Sequence, residues 1–183
     1  CSDENQFEYL LNEKSILCPG CHMLRVSAFK DVNPQCEIYP ARRGQNWQLL
    51  LPIYYKYKRF YLDEPLYGYV IYNQSMSQGD VTKEKVLKRW KEHESILVET
   101  LKKMKMDSKE LEKYLNIVKV RYAKKRFFTA IDFRDKKLMK EQYDLLKIDE
   151  ESKNELKLLY YRNKYLTLKI LFKIWENIKE GKK

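Results

Sequence analysis

Long apolar runs are missing from this chain. No stretch of its 183 residues approaches the ~20 apolar residues that a membrane-spanning helix needs. A cleavable leader is missing too: the opening CSDENQFEYLL is acidic and polar, where a signal peptide is basic and then apolar. The chain also starts without Met, so the reading expects a piece of a longer protein. With export unsupported, a reducing cytoplasmic setting is expected. The four cysteines, all within the first 36 residues, are then expected as free thiols. Glycine is scarce, five residues against fifteen tyrosines, which excludes disordered and low-complexity classes.

One short string invites a cofactor reading. Cys18-Pro-Gly-Cys21-His22 has the C-x-x-C-H form of haem attachment, and its first half the form of a zinc knuckle. Covalent haem goes with an exported, oxidising setting, which is unsupported. Structural zinc needs four ligands; Cys36 with Cys1 or His22 would have to complete the set, and there is no second C-x-x-C. Neither haem nor zinc is expected. Two small side chains on a buried strand or turn are expected instead, with Pro19-Gly20 marking a tight turn or a close approach of backbone.

Acidic residues are outnumbered, 26 against 37 basic, for a net charge of +11. That favours an anionic partner: nucleic acid, anionic lipid or a phosphate-bearing substrate. Helix-turn-helix, RNP and zinc-finger signatures are lacking, and the lysines are interleaved with glutamates, which weighs against nucleic acid.

Composition shifts near residue 80. All five prolines and four of the five glycines come before it. The fold expected is α+β and mostly helical, with domains at 1–80 and 81–183. Residues 4–15 read as a short helix, CHMLRVSAF as a strand running into a helix start, and DVNPQCEIYPARRG as loop. QNWQLLLPIYYKYK reads as a helix with Trp47, Leu50, Leu51, Tyr54 and Tyr55 on one face and with Pro52 as a kink or early stop. FYLDEPLYGYVIY reads as strand. Beyond Val81, Val86, Trp90, His93, Leu97, Leu101 and Met104 fall at helical steps, with His93 expected as a packed core histidine. Ser108 is expected to cap the next helix, which carries Leu111, Leu115, Val118 and Tyr122 on one stripe. A short helix follows near 135–147.

A last helix is expected from the Asp149–Ser152 cap to about Ile178. It bears two stripes, one of Leu159, Leu166, Ile170 and Ile174, the other containing Leu158, Tyr161 and Tyr165. From Lys153 to Lys183 there are nine basic and three acidic residues. The pattern suits a packing helix with a solvated basic edge, or an interfacial helix resting on anionic lipid.

The most specific stretch is Ile38 to Asp80. It holds Gly44-Gln45-Asn46-Trp47-Gln48 followed by Leu50-Leu51-Pro52, then Asp63-Glu64-Pro65-Leu66, then a serine-rich loop. With CPGCHMLRVSAFKDVNP upstream, it resembles the acceptor-side half of family 2 glycosyltransferases of the GT-A fold, in a bacterial subgroup with GQNWQ-LLP. The likeness covers about residues 1–80. It implies a partial GT-A α/β half followed by an all-α tail. It also implies transfer of a sugar from a nucleotide-sugar donor to a surface-polysaccharide or glycolipid acceptor, peripherally at the inner face of the plasma membrane. In that frame Gly20 lets backbone approach the sugars and the cysteines are incidental. Arg25 and Arg43 can meet the diphosphate, and Trp47 and Gln48 can line the sugar site, although the helical spacing suits Trp47 equally to a core place.

Inverting transfer needs a general base and neutralisation of the leaving diphosphate. Most relatives place a Glu-Asp pair where this chain has Gln45-Asn46. Amides orient hydroxyls but do not act as bases, so these two are positioning residues and the base is unassigned; Glu37, Asp63 and Glu64 are the nearby carboxylates. Relatives often carry Ser-His-Ser where this chain has Ser75-Met76-Ser77, and a thioether is a poor ligand for Mg or Mn. The family's nucleotide-binding half with its Asp-x-Asp motif does not occur in these residues. Mg or Mn is thus expected only in a complete enzyme, on ligands outside this chain, and the isolated chain is expected to be inactive. The alternative is a basic helical module that binds nucleic acid or an acidic partner.

Overall fold

The computed structural model describes residues 6–14, 19–41, 44–68, 70, 81–146, 153–165 and 170. Among them the regular structure is helical, with no strand: α1 (Gln6–Leu11), a 3-10 turn (Pro19–Cys21), α2 (Val26–Val32), α3 (Gln45–Lys56), α4 (Lys83–Lys103), α5 (Ser108–Asp132), α6 (Lys136–Leu146) and α7 (Lys153–Lys164). The chain forms two compact units, Cys1–Lys119 and Val120–Lys183. The change of composition near residue 80 does not coincide with this division, because α4 belongs with the first unit.

Helix α3 organises the first unit; α1, α2 and α4 all pack on it. Trp47, Leu50, Leu51 and Tyr54 are buried along it, as the spacing predicts. Pro52 lacks the N–H that would bond back to Gln48, yet α3 continues to Lys56. Burial on both sides of Pro52, at Leu51 and Ile53, outweighs one missing hydrogen bond. Leu10, Leu11, Leu51, Ile96, Leu97 and Leu101 are fully buried, and each such side chain contributes ~1.5–3 kcal/mol. Gly44 starts α3 at φ 79°, in the left-handed region. A Cβ there would lie 2.8 Å from Ile96 and 2.9 Å from Trp47, so both conformation and space require glycine.

Helix ends follow the local chemistry. The Thr82 hydroxyl accepts from the Lys85 N–H at the start of α4. Glu84 lies in its first turn and Lys102 and Lys103 in its last, each complementing the helix dipole. The buried Thr100 hydroxyl donates to the Ile96 carbonyl at 2.6 Å, so it is not left unsatisfied. Helix α5 is capped by Asp107, whose carboxylate accepts from the Lys109 N–H at 2.8 Å. That is one residue before the expected Ser108, which instead opens the helix.

The second unit has its own core of Ala123, Phe127, Ala130, Met139, Leu146, Leu156 and Tyr160. The Tyr143 and Tyr160 rings stack at 4.1 Å, joining α6 to α7. The turn into α6 is closed by Asp135 N–H to Ala130 carbonyl (2.8 Å) and Arg134 N–H to Ile131 carbonyl (3.1 Å), the Schellman arrangement. Arg134 takes the left-handed position at φ 56°. Asp135 then caps α6, its carboxylate accepting from the Leu138 N–H at 3.0 Å.

The strands expected for an α/β half are not found among the described residues. His22–Arg25 is irregular and α2 takes over at Val26. Residues 58–68 have no regular structure, with Phe60, Tyr61, Leu62 and Leu66 exposed. A lone apolar segment does not make a strand without a neighbour to pair with. Residues 71–80, the Asp149–Ser152 cap and most of the expected last helix beyond Tyr165 lie outside the described residues. None of the described helices is long and apolar enough to cross a membrane.

Candidate functional site

The motif segments gather around α3. Gly20 lies directly against Tyr67, close enough that a Cβ would sit 2.1 Å from the ring. Residues 47 apart in sequence, one from Pro-Gly and one just past Asp-Glu-Pro-Leu, are therefore neighbours. His22 joins the same region: its Nδ1 is 3.3 Å from the Tyr54 hydroxyl of α3.

Gln48 is buried and clamps the incoming loop. Its Oε1 accepts from the Tyr39 N–H, and its Nε2 donates to the Tyr39 carbonyl at 2.8 Å. The amide is thus spent on the backbone of one residue and is not turned to a substrate. Trp47 is 3 % exposed and packs edge-on against His93, ring centres 5.0 Å apart. It is core and lines no open cleft. Its indole N–H finds no acceptor among the described residues. His93 packs in that aromatic cluster, also edge-on to Trp90, as the sequence suggests.

Gln45 Nε2 donates to the Ala41 carbonyl at 2.7 Å, bracing the start of α3. Asn46 is half-buried and Arg25 is exposed at the head of α2. Arg43 and Cys18 lie outside the described residues. Cys21 and Cys36 are free thiols, both exposed, so Cys21 does not take the buried place expected of it; it sits on the 3-10 turn, whose short side chains do not reach a core. Of the predicted site residues, Gln45, Asn46, Trp47 and Gln48 share α3, and Gly20 reaches its neighbourhood through His22.

A pocket of about 400 Å³ opens at the C-terminal end of α3, lined by Gln6, Phe7, residues 54–59, Glu110 and Tyr114. Gly20 is not part of it. Two of its polar groups hold one another. The Tyr55 hydroxyl donates to Glu110 Oε2 at 2.5 Å, and that bond, then burial, pushes the phenol up to about 12. Phe7 meets both Tyr55 and Tyr114 edge-on. Beside the pocket, Asp31 on α2 accepts from Lys56 Nζ at 2.5 Å and from the Tyr57 hydroxyl at 2.6 Å. Those bonds, Lys56 first, draw the Asp31 carboxyl down, while the same carboxylate raises Lys56 and Tyr57. Lys113 pairs with Glu8 at 2.6 Å.

These pairings were not legible as a site. Tyr55 and Glu110 stand 55 residues apart, and no spacing rule links them. The Gln48 clamp had no local signal either, since a glutamine inside a helix reads as solvent-facing.

Among the described residues no three His, Cys, Asp or Glu side chains gather as a metal-binding group. Compared with protein families, curated proteins and solved structures, the chain has no match in any of the three. The likeness to family 2 transferases rests on the motif residues alone.

Proposed function

We propose that this chain is the acceptor-side portion of a glycosyltransferase that moves a sugar from a nucleotide-sugar donor to a surface-polysaccharide or glycolipid acceptor. It works peripherally at the inner face of the plasma membrane, where a lipid-linked acceptor is presented. The observation that carries the reading is the meeting of Gly20 with Tyr67. Two separate pieces of one motif meet there, and the adjoining His22 reaches Tyr54 of α3, which supports the reading.

Trp47 and Gln48 are framework: one fills the core and the other fixes the Tyr39 backbone. Gly44 is framework as well. In this reading Arg25, Asn46 and the backbone at Gly20 position an acceptor hydroxyl or a phosphate, while Gln45 holds the head of the helix. Amide and guanidinium donors suit oxygen acceptors of that kind. Donor binding and the divalent metal belong to residues beyond these 183, the general base is unassigned, and the isolated chain is catalytically incomplete.

A transfer assay tests this. The chain joined to a nucleotide-binding half with an Asp-x-Asp motif should transfer label from a nucleotide sugar to a lipid or polysaccharide fraction. The chain alone should not. Transfer by the isolated chain overturns the incompleteness. Unchanged transfer after combined Asn46→Ala and Arg25→Ala substitution overturns the site.

A second reading, a basic helical module for an acidic partner or nucleic acid, draws on the positive charge of the second unit. Tight, salt-dependent capture of duplex DNA or RNA by this chain would favour it.

A further inference from the structure

Helix α7 is apolar on two opposite faces. At 3.6 residues per turn, Leu156 and Tyr160 lie on one side and Leu158, Tyr161 and Tyr165 on the other. Tyr165 follows the last residue of α7, and its N–H still bonds to the Tyr161 carbonyl. The first pair is sunk in the core of the second unit. The second set is open to solvent: Leu158 is 53 %, Tyr161 38 % and Tyr165 45 % exposed. A helix that packs on one side is ordinarily polar on the other, so this outer stripe is left unexplained by folding.

Cations border the stripe. The helical spacing puts Lys157 and Lys164 along one edge and Arg162 along the other. The Lys164 ammonium lies 5.1 Å from the centre of the Tyr165 ring, and the Tyr161 and Tyr165 rings are parallel, 6.3 Å apart. Charge is concentrated in this unit as a whole. From Val120 to Lys183 there are 18 basic and 10 acidic residues, so eight of the eleven surplus positive charges fall here.

We propose that the outer face of α7 docks on an anionic phospholipid bilayer, lying in the plane of the interface. Leu158 enters the acyl boundary. The two tyrosines sit at headgroup depth, where a ring with a polar tip is at home. Lys157, Arg162 and Lys164 extend sideways to the lipid phosphates. Three aliphatic or aromatic side chains and three cations make a weak, reversible attachment. A nucleic-acid duplex would satisfy the cations but leave Leu158 in water. A second copy of the face would cover Leu158 but set like charges against each other. The bilayer alone satisfies both. This inference names the surface that makes the membrane contact in the transferase reading; its test measures lipid binding and not sugar transfer, so either can fail without the other.

The test is co-sedimentation of the full chain with vesicles of phosphatidylcholine alone and of phosphatidylcholine mixed with phosphatidylglycerol. Binding should be about tenfold tighter to the anionic vesicles and should weaken as salt is raised. The triple variant L158S/Y161S/Y165S should lose about tenfold on anionic vesicles, and K157E/K164E should lose the preference for them. Circular dichroism checks that each variant keeps its helix content. If the triple variant loses it, Y161S alone, at an exposed position, should still weaken binding about threefold. Equal binding to both vesicle types, or serine variants that bind as the parent does, overturns the proposal. So does duplex DNA binding that is tighter than lipid binding and untouched by the serines, or a dimer of the parent chain that the serines dissolve.

Discussion

Gln48 holds Tyr39 by both of its backbone polar groups, accepting from the N–H and donating to the carbonyl. A side-chain amide mimics a neighbouring strand at this one residue, and the loop before α3 gains a fixed end without any sheet. Replacing Gln48 with Ala leaves two backbone groups without their partner, and costs about 2–4 kcal/mol at ~1–2 per group. Urea unfolding measures the loss. Gln48→Glu keeps the acceptor but faces the Tyr39 carbonyl with a buried carboxylate. Its stability should therefore improve as pH falls and the side chain gains a proton that it can donate.

The Tyr55 phenol is pushed up to about 12 by its bond to Glu110 and by burial. A folded-state value above the unfolded one contributes stability that is present below pH ~10 and lost as pH rises through the folded value. Tyr55 should thus lag in an ultraviolet phenolate titration of the folded chain, beside the also raised Tyr57. In Glu110→Gln the lag should shrink, because the negative charge that opposes ionisation is gone. An unchanged titration in that variant would refute the assignment.

Two glycines of the motif should respond differently to alanine. At Gly44 the left-handed backbone and the contacts with Ile96 and Trp47 act together, and Gly44→Ala should cost about 2–4 kcal/mol. At Gly20 the obstacle is the Tyr67 ring, which is half-exposed and can swing aside. Gly20→Ala should change thermal stability by less than about 1 kcal/mol, yet abolish transfer in a complete enzyme if backbone approach matters there. Paired melting and transfer measurements separate the two effects.

Arg134 occupies a left-handed position that favours glycine. Arg134→Gly should stabilise the second unit by about 0.5–1 kcal/mol, read as a rise in the denaturant midpoint with no change in slope.

Helical periodicity carried most of the architecture. Trp47, Leu50, Leu51 and Tyr54 are buried as their spacing predicts, and α4 to α6 begin and end within a few residues of their sequence signals. The failures have physical causes. Residues 60–66 have strand-like composition, but a strand is a relation between segments, and no partner is present among the described residues. In α7 the buried face is made by Leu156 and Tyr160, which belong to neither expected stripe, with Leu159 of the first stripe packed partly against them. At the candidate site, residue identity was legible and orientation was not. Trp47 and Gln48 belong to a recognisable motif, yet their side chains turn inward because the loop and α4 need them there.

A six-residue helix has too few internal bonds to stand alone in water. Helix α1 exists because Phe7, Leu10 and Leu11 have somewhere to go, and that place is built by segments that follow it in the chain. The first helix by position should therefore be a late arrival in folding, its amides gaining hydrogen-exchange protection after those of α4. The Gln6–Phe7 wall of the pocket arrives with it, so a partly folded chain offers the rings of α3 to solvent before any enclosure is complete.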